Sequence, residues 1–368
     1  MNQNKLSILG IRGIPANHGG FETFAEKLAL FLVGRKWKVT VYCQDDNVRE
    51  TIKEKWKGIE LIKIPSKVSG ALGTIIFDYK AIMMAKESQG IFLTLGYNTA
   101  IFCVFLKLKN KINIINMDGL EWKRRKYNIL EKSWLFINEK LGIYFSNHLI
   151  ADNPGIEQRL RMIALKNKKI SMIPYGASSP TISSINQRSI LEKINISSKI
   201  PYILVVARPV PENNIFEIVR TFSQKKRNHN LVILGLYNEK VSYHTRVLRI
   251  ASEEVIFLGA IYDKKILNVL RTNAKLYIHG HSVGGTNPAL IEAMSAGIPV
   301  LAHDNTFNRW VAGKEMHYFS NEKELDKKLV FLLSNTEEMK KMSYSSIEKF
   351  QKDFTWGKIL SAYEKVFH

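Results

Sequence analysis

An alternation of strand, loop and helix, repeated along two stretches of the chain, constrains the fold more than any other sequence feature. The first stretch runs from the apolar segment KLSILGI through the loop RGIPANHGG and the segment FETFAEKLALFLVGRKW to KVTVYCQ. The apolar residues of the third segment recur at helical spacing, at Phe21, Phe24, Leu28 and Phe31. Gly34 is placed to end that helix. A strand, a helix and a second strand in this order form a βαβ unit, which requires a parallel sheet.

The pattern continues to residue 180 and begins again after a polar connection at residues 181–200. Further strands are predicted in the first half at IELIKI, GIFLTLG, KINIINM, NHLIADN and KISMIPYG. The second half alternates the strands PYILVVAR, NLVILGL, EVIFLGAI, AKLYIHG and IPVLAH with the helices NNIFEIVRTFSQ, DKKILNVLRTN and NPALIEAMSAG. With 368 residues, 45% of them hydrophobic, the chain is long enough for two cores.

We therefore predict an α/β protein of two doubly wound, Rossmann-like domains, residues 1–180 and 181–350. Ligands of such sheets bind at the carboxyl ends of the strands, and we expect the two domains to face one another across a cleft there. Residues 351–368 form an amphipathic helix that we expect to return to the first domain. The two cysteines imply no disulfide framework, and no secretory signal is evident, so a cytoplasmic location is expected. The apolar stretch from Ile91 is interrupted by Gly96, Tyr97 and Asn98, which predicts a buried strand and helix instead of a membrane span.

The formal charge of +21 requires a partner or a large solvated surface. Residues 1–180 contain 28 Lys and Arg against 15 Asp and Glu, and the remainder contains 26 against 18. The segment EWKRRKYNILEKSWLF interleaves cations with aromatic residues, which suits an anionic membrane surface. Its membrane-binding candidates are Trp122, Lys123, Arg124, Arg125 and Lys126. The inner face of the plasma membrane is thus the expected location; a solvated face and nucleic acid are the alternatives.

The segment HSVGGTNPALIEAMSAGIPV, residues 281–300, has the chemistry of an anion site. Gly284 and Gly285 leave backbone N–H groups uncovered, and the helix that opens near Asn287 directs its positive end toward them. Arg208, at the end of an earlier strand, supplies a fixed cation suited to a diphosphate. The alternative is a flexible turn capped by Asn287, with Glu292 on the solvent side.

Five segments resemble a known family when they are taken together. They are GIRGIPANHGGFETFAEKLALFLV, NMDGLEWKRRKY, ARPVPENNIFEIVRTF, HSVGGTNPALIEAMSAGIPV and FTWGKILSAYEKVF. In this order and spacing they resemble the GT-B glycosyltransferases of the large retaining family that includes sucrose and glycogen synthases. Within that family the chain is most similar to bacterial rhamnosyltransferases of capsule and O-antigen assembly. The resemblance spans nearly the whole chain and implies a nucleotide-sugar donor bound mainly by the second domain.

The resemblance also implies roles for single donor-site residues. Glu292 would accept hydrogen bonds from two ribose hydroxyls, which would explain an acid within an apolar helix. Arg208 would bind the diphosphate. The turn formed by Gly284, Gly285, Thr286 and Asn287 would offer N–H groups to phosphate or sugar oxygens.

In the first domain the resemblance points to a loop and to one carboxylate. The loop that carries Arg12, His18, Gly19 and Gly20 would lie near the donor phosphates and the acceptor; His18 could equally be a loop histidine in solvent. Asp118 lies near the position where many relatives have a catalytic-site histidine. It would orient the acceptor or act as a base, and the alternative is an aspartate that caps the turn after a strand.

Two positions depart from the family pattern. The lysine expected five residues after the arginine is Asn213, and the first of two glutamates separated by seven residues is Gly284. These losses remove a cation from the diphosphate and a contact from the sugar, and both fit a deoxysugar donor. The predicted function is transfer of L-rhamnose from dTDP-rhamnose to a polyprenyl-diphosphate-linked saccharide, with anomeric retention. The alternatives are another nucleotide sugar, such as glucose, galactose or an amino sugar, a nucleotide-sugar epimerase, or a nucleic-acid-binding protein.

No cofactor or metal is expected. No Asp-x-Asp, HExxH or CxxC motif occurs, so charge on the leaving diphosphate would be stabilised by Arg208 and the turn amides. His279 and His281 lie on one face at a strand end, but a metal would need further ligands. We expect one of these two histidines near the donor pocket. The loop GIRGIPANHGG lacks the glycine spacing of the dinucleotide fingerprint.

Overall fold

The computed structural model describes residues 4–16, 19–68, 70–124, 126–180 and 187–368. The chain divides into two units at Tyr175 and again at Thr355. The first unit contains the chain up to Lys123, Tyr127–Tyr175 and Trp356–His368; the second contains Arg124, Lys126 and Gly176–Thr355. The predicted boundaries at residues 180 and 350 thus lie within five residues of the observed ones. The second boundary is later because a helix continues to Asp353.

The first unit is a parallel sheet with one antiparallel edge strand. Its strands are β1 (Lys5–Leu9), β2 (Lys38–Asp45), β3 (Ile52–Trp56), β4 (Ile59–Pro65), β5 (Ile91–Leu95), β6 (Ile112–Asn116), β7 (His148–Ala151) and β8 (Lys169–Met172). Its helices are α1 (Gly20–Gly34), α2 (Gly70–Ala85), α3 (Cys103–Leu108), α4 (Ile129–Phe145) and α5 (Pro154–Ile163). The strand order is β3-β4-β2-β1-β5-β6-β7-β8.

The register shows that the predicted βαβ unit forms. Lys5 of β1 lies opposite Lys38 of β2, and Leu6 lies opposite Ile91 of β5 on the other side. Helix α1 ends at Gly34, as its position predicts. The apolar stretch from Ile91 folds as β5 and the short helix α3, which confirms that interpretation. No helix in the described ranges is long and apolar enough to cross a membrane.

The second unit contains a purely parallel sheet of six strands among its described residues. Its strands are β9 (Tyr202–Val206), β10 (Asn230–Leu234), β11 (Val255–Gly259), β12 (Leu276–His279), β13 (Val300–His303) and β14 (His317–Phe319). The order is β11-β10-β9-β12-β13-β14. The helices are α6 (Gln187–Lys193), α7 (Ile215–Ser223), α8 (Ser242–Ile250), α9 (Lys264–Asn273), α10 (Pro288–Ser295), α11 (Thr306–Ala312), α12 (Glu322–Ser334) and α13 (Thr336–Asp353).

Strands rich in apolar residues were predicted from sequence, whereas polar elements were missed. All residues of β12 and nearly all of β9 and β10 are buried, as expected for strands covered on both faces. Strand β3 has four exposed residues and is held only by its antiparallel partner β4. Helix α6 lies within the segment that was predicted to be a polar connection. Leu191 is its buried residue and the others remain near solvent, so the helix has little apolar pattern in the sequence.

The last helix, α14 (Trp356–Phe367), packs against α1 and the sheet of the first unit. The rings of Tyr363 and Phe24 lie 4.6 Å apart. The amide of buried Asn116, at the end of β6, donates to the Tyr363 hydroxyl at 2.6 Å. Arg35 pairs with Glu364 at 2.7 Å on the rim of the same contact. The C-terminal helix thus contributes a core residue to the first unit.

Replacing Tyr363 with Phe tests this contact. The substitution leaves the buried Asn116 amide without its acceptor, so the free energy of unfolding is expected to fall by about 1–3 kcal/mol in urea titrations. The matched control is Tyr344→Phe, which removes an exposed hydroxyl on α13 and should leave the urea midpoint unchanged. Equal midpoints for Tyr363→Phe and the native protein would refute a structural role for this hydrogen bond.

Candidate functional site

The strand order of the second unit places the ends of β9 and β12 side by side. The chain proceeds from β9 to one side of the sheet and from β12 to the other, so this pair is the topological switch point. Leu276 and Tyr277 of β12 lie opposite Ile203 and Leu204 of β9. Loops that follow adjacent parallel strands diverge there and leave a crevice for a ligand. Arg208 follows β9, and the glycine turn follows β12.

The loop after β9 is fixed by its own side chains and leaves Arg208 at the surface. The Asn213 amide donates to the Arg208 carbonyl at 2.8 Å, and Asn214 has a left-handed backbone with φ of 51°. The Asn214 amide donates to the Gly280 carbonyl at 2.7 Å. The Arg208 guanidinium is exposed and makes no ion pair with any described residue. Asn213, predicted to bind the donor, is buried and holds the loop that presents Arg208.

The loop after β12 packs directly on the loop after β9. A Cβ atom at Gly280 would lie 2.2 Å from the Asn213 carbonyl oxygen, so only glycine permits this approach. The backbone N–H and the hydroxyl of Ser282 both donate to the Glu212 carbonyl, each at 2.9 Å. The two loops therefore form one rigid base beneath the glycine turn.

The glycine turn itself has open surroundings. Gly284 has a φ of 145°, and a Cβ atom there would meet no other atom within 4 Å. Asn287 caps α10 by accepting a hydrogen bond from the Ala289 N–H at 3.0 Å, and Pro288 begins the helix. Gly284 stands where the family pattern has a glutamate. Its φ is one that a glutamate rarely adopts, so the backbone at this position favours glycine.

Glu292 has a partner that the sequence did not indicate. Arg271, on α9, forms a charge-assisted hydrogen bond to Glu292 Oε2, and the glutamate side chain remains 37% exposed. The expected buried carboxylate is therefore half-exposed, and the protein itself supplies its partner. Arg271 was missed because a single arginine on an amphipathic helix is usually solvated. It lies next to the buried residues Val269 and Leu270, which is the only sequence signal.

His279 and His281 stack at the end of β12. Their ring centroids lie 4.2 Å apart with the planes 8° from parallel. Burial lowers the pKa of both imidazoles; for His281 the charges of Arg124 and Arg208 add to the effect and bring the pKa to about 3. Both rings are consequently neutral at physiological pH, and the positive charge of Arg208 disfavours protonation of His281.

Three residues at the same edge of the sheet were not singled out from sequence. Leu236, after β10, and Tyr262, after β11, are both exposed, and their loops are joined by the hydrogen bond from Gly235 N–H to the Gly259 carbonyl. Glu212 is buried, and neither carboxylate oxygen has a hydrogen-bond partner among the described residues. Leu236 and Tyr262 are thus exposed apolar side chains on the loops after β10 and β11, at the carboxyl edge of the same sheet.

In the first unit the predicted phosphate loop contains carboxylates that the sequence analysis overlooked. Glu22, in the first turn of α1, accepts the Arg12 N–H at 3.2 Å, and Glu26 accepts the Ala16 N–H at 2.7 Å. A Cβ atom at Gly19 would lie 2.6 Å from Glu22 Oε2. A phosphate at this turn would therefore meet a negative charge as well as the start of α1 at Gly20. The Arg12 side chain is exposed, and His18 lies outside the described residues.

Arg12 also borders a polar cavity. The cavity measures about 400 Å³ and is lined by residues of three segments: Arg12, Gly13, Ile14, Pro15, Cys43, Gln44, Asp45, Asp46, Asn47 and Lys63. Asp45 and Lys63 pair at 3.5 Å within it. Such a lining of carboxylates, amides and cations suits hydroxyl-rich molecules.

Asp118 occupies a strained turn at the end of β6. Its φ is 48°, and its N–H donates to the Asn116 side chain at 2.9 Å. The other end of Asn116 binds Tyr363, so the position of Asp118 depends on the C-terminal helix. Its charge helps to raise the pKa of the buried Tyr175 and Tyr363 hydroxyls, although burial is the larger cause.

The basic segment is only partly available for a surface role. Trp122 packs edge-on against Phe136 at 5.4 Å, and the Arg159 guanidinium lies 5.4 Å above its ring. Lys123 and Lys126 are exposed, Arg124 is partly buried, and Arg125 lies outside the described residues. Trp122 is therefore packed within the fold and does not project as a membrane anchor requires.

The two halves of the chain match different protein families. Residues 186–349 match the glycosyl transferases group 1 family. Residues 3–178 match a domain of unknown function, DUF1972. Comparison with curated proteins gives no significant match. The group 1 match supports a glycosyltransferase and covers the part of the chain that contains β9 and β12.

Solved structures of low sequence identity share the fold over nearly the whole chain. Sucrose-phosphate synthase from Thermosynechococcus elongatus has a TM-score of 0.83 at 17% identity, covering 99% of this chain and 98% of that one. Anabaena HepE in complex with UDP has a TM-score of 0.76 at 13% identity, covering 99% of both. The UDP-forming α,α-trehalose-phosphate synthase from Burkholderia xenovorans, in complex with glucose-6-phosphate, has a TM-score of 0.75 at 9% identity, covering 99% and 100%. The chain has the GT-B glycosyltransferase fold.

The neutral histidine pair predicts a pH-dependent stability. Between about pH 6.5 and pH 3 the unfolded chain binds a proton at residue 281 that the folded protein does not, so folding stability falls as the pH falls. From about pH 7.5 to about pH 5, the native protein should lose up to roughly 2 kcal/mol more than His281→Asn in urea titrations. His368→Asn, at the exposed terminus, should follow the native curve. Parallel curves for the native protein and His281→Asn would contradict the lowered pKa.

Proposed function

We propose that this protein transfers L-rhamnose from dTDP-rhamnose to a polyprenyl-diphosphate-linked saccharide, with retention of the anomeric configuration. O-antigen or capsule assembly at the cytoplasmic face of the plasma membrane is the setting. Convergence of Arg208 and the glycine turn at the β9–β12 switch point is the observation that carries the proposal.

Arg208 and the start of α10 have the properties needed to bind a nucleoside diphosphate. The guanidinium is exposed, and the backbone that carries it is held by the Asn213 amide, so the cation is available to the phosphates. Helix α10 begins beside the open turn at Gly284 and Gly285, whose N–H groups can donate hydrogen bonds to further phosphate oxygens. These groups would stabilise charge on the leaving diphosphate without a metal. Leu236 and Tyr262 would pack against the nucleobase.

Glu292 retains one carboxylate oxygen for the nucleotide. Arg271 binds Oε2, which holds the carboxylate in one orientation, and Oε1 has no hydrogen-bond partner among the described residues. Two ribose hydroxyls could then donate hydrogen bonds to Oε1, so that both oxygens of the Glu292 carboxylate would have partners. Arg271 is then a positioning residue for the donor site.

The sugar assignment rests on the two departures from the family pattern. Gly284 carries no carboxylate for a sugar hydroxyl, and its φ of 145° favours glycine there. Asn213 carries no charge and holds the Arg208 loop through its amide. A 6-deoxysugar has one hydroxyl fewer to bind, which suits a site that offers fewer polar side chains.

For the reaction we propose front-side attack by an acceptor hydroxyl, whose proton passes to the leaving phosphate. The new glycosidic bond forms as the bond between the anomeric carbon and the diphosphate oxygen breaks. Asp118, in the turn that follows the carboxyl end of β6, would orient the acceptor hydroxyl. The cavity beside Arg12 would accommodate part of the acceptor saccharide.

A UDP-hexose transferase is the second candidate. Anabaena HepE has been solved with UDP and with UDP-glucose, and it shares the fold over nearly its full length. Those ligands belong to that protein. They favour UDP-sugars as the first alternative donors to test here.

The function is tested by mixing purified protein with undecaprenyl-diphosphate saccharides and a panel of dTDP-, UDP- and GDP-sugars. Nucleoside diphosphate release and the mass of the lipid product are followed together. A rhamnose-sized mass gain from dTDP-rhamnose alone is expected. Transfer from a UDP-hexose instead would overturn the sugar assignment and retain the donor site.

Arg208→Ala is expected to lower kcat/KM by roughly 10²–10³, as loss of one preorganised cation does at a developing anion. Arg249→Ala removes an exposed arginine from α8 and serves as the matched control. Native-like rates for Arg208→Ala would contradict the diphosphate assignment.

Glu292→Gln is expected to raise KM for the donor and abolish most of the transfer, while Glu337→Gln, at an exposed site on α13, should have no effect. The amide is preferred to alanine because its oxygen can still accept the Arg271 hydrogen bond, whereas alanine leaves that largely buried guanidinium without an acceptor. Thermal midpoints measured beside the kinetics separate unfolding from loss of binding. Unchanged KM and kcat in a folded Glu292→Gln variant would remove this residue from the donor site.

A further inference from the structure

Helix α4 exposes an apolar face that the fold does not cover. Five residues spaced alternately by four and three positions form one stripe along it: Leu130, Trp134, Ile137, Leu141 and Tyr144. Ile129 and Leu130, at the start of the helix, are 82% and 81% exposed, and Ile137 and Tyr144 are also exposed. The opposite side of the helix is buried through Leu135, Gly142 and Ile143. We call Ile129 and the five stripe residues the α4 face.

The beginning of this face is rigidly positioned. Asn128 and Glu131 form a reciprocal capping box, with both hydrogen bonds at 2.9 Å. The Trp134 indole N–H donates to the Asn98 carbonyl at 2.8 Å, which ties the middle of the helix to the loop after β5. The exposure of Ile129 and Leu130 therefore belongs to an ordered helix and not to a frayed end.

Cations border the face, whereas its acids are neutralised or engaged. Glu139 points inward and receives two hydrogen bonds from Arg159, at 3.1 and 2.8 Å. Glu131 is engaged in the cap. Lys107 lies 3.9 Å from the centre of the Tyr144 ring, and Lys140 lies 5.3 Å from that of Phe136. Apolar side chains with interleaved aromatic rings and a rim of lysines are complementary to an anionic lipid surface.

The helix begins at the edge of the sheet where chemistry is expected. Because α4 follows β6 and returns to the start of the parallel strand β7, its first turn lies at the carboxyl edge. Asp118 and the Arg12 loop follow strands that end at the same edge. We propose that the α4 face docks the first unit on an anionic membrane, with Ile129 and Leu130 entering the interface. This would bring a lipid-linked acceptor to that edge; that consequence rests on the proposed function, whereas docking itself does not.

Vesicle binding tests the proposal without donor or acceptor. Native protein should bind vesicles of phosphatidylcholine with phosphatidylglycerol and should bind pure phosphatidylcholine weakly. Ile129→Gln combined with Leu130→Gln should lower partitioning onto the anionic vesicles by roughly tenfold or more. The matched control combines Met162→Gln, near the end of α5, with Leu165→Gln, just after it. These residues are 78% and 64% exposed, and the variant should bind as the native protein does.

A site-specific probe shows which residue enters the lipid. Both native cysteines are buried, and burial raises the pKa of the Cys43 thiol to about 11 and that of Cys103 to about 12, so neither competes for a thiol reagent. An environment-sensitive fluorophore on Leu130→Cys should shift to the blue on anionic vesicles. The same fluorophore on Met162→Cys should not.

Three outcomes would overturn the proposal. The first is native protein that does not bind anionic vesicles. The second is native-like binding of the α4 double variant with loss of binding only when Lys123, Arg124, Arg125 and Lys126 are neutralised, which would assign docking to the basic segment. The third is a native dimer that the α4 double variant converts to monomer without any membrane binding, which would make this face a contact between copies. Failure of sugar transfer with normal vesicle binding would refute only the proposed function.

Discussion

Parallel pairing of β9 with β12 is the constraint on which the candidate donor site depends. Arg208 and the glycine turn are more than 70 residues apart in the chain, and only the adjacency of these two strands brings their loops together. The close approach of Gly280 to the Asn213 carbonyl then makes the two loops one structural piece. A side chain at position 280 would push the two loops apart. Gly280, which has no functional group, therefore controls the placement of Arg208 and the glycine turn.

The titratable side chains near the β9–β12 pair are stabilised in different ways. Arg208 remains at the surface, where water solvates its charge. Glu292 is held by Arg271, so the protein itself orients its carboxylate. His279 and His281 are kept neutral by burial, which avoids the free energy of placing a charge in the interior. The candidate donor site thus takes its positive character from the exposed Arg208 guanidinium and from the start of helix α10.

In the first unit the C-terminal helix supports the loop that carries Asp118. Tyr363 binds Asn116, and Asn116 binds the Asp118 N–H, so residues separated by almost the entire chain determine one candidate catalytic carboxylate. The carboxylates of Glu22 and Glu26 similarly shape the loop after β1. Neither arrangement has a local sequence signature, because each partner is supplied by a different element.

The sequence by itself determined the fold class, the succession of the main strands along the chain and the segments that follow them, because burial imposes periodicity on strands and helices. It also identified Arg208, the turn at Gly284 and the cap at Asn287 through local chemistry. Only the tertiary structure decided the partner of Glu292, the inward packing of Trp122 and the exposure of Ile129 and Leu130. The reason is physical: which side of a helix is covered, and which charge meets another, depends on elements that are distant in the chain. Local pattern therefore indicated a candidate site, and long-range packing decided how its side chains are presented.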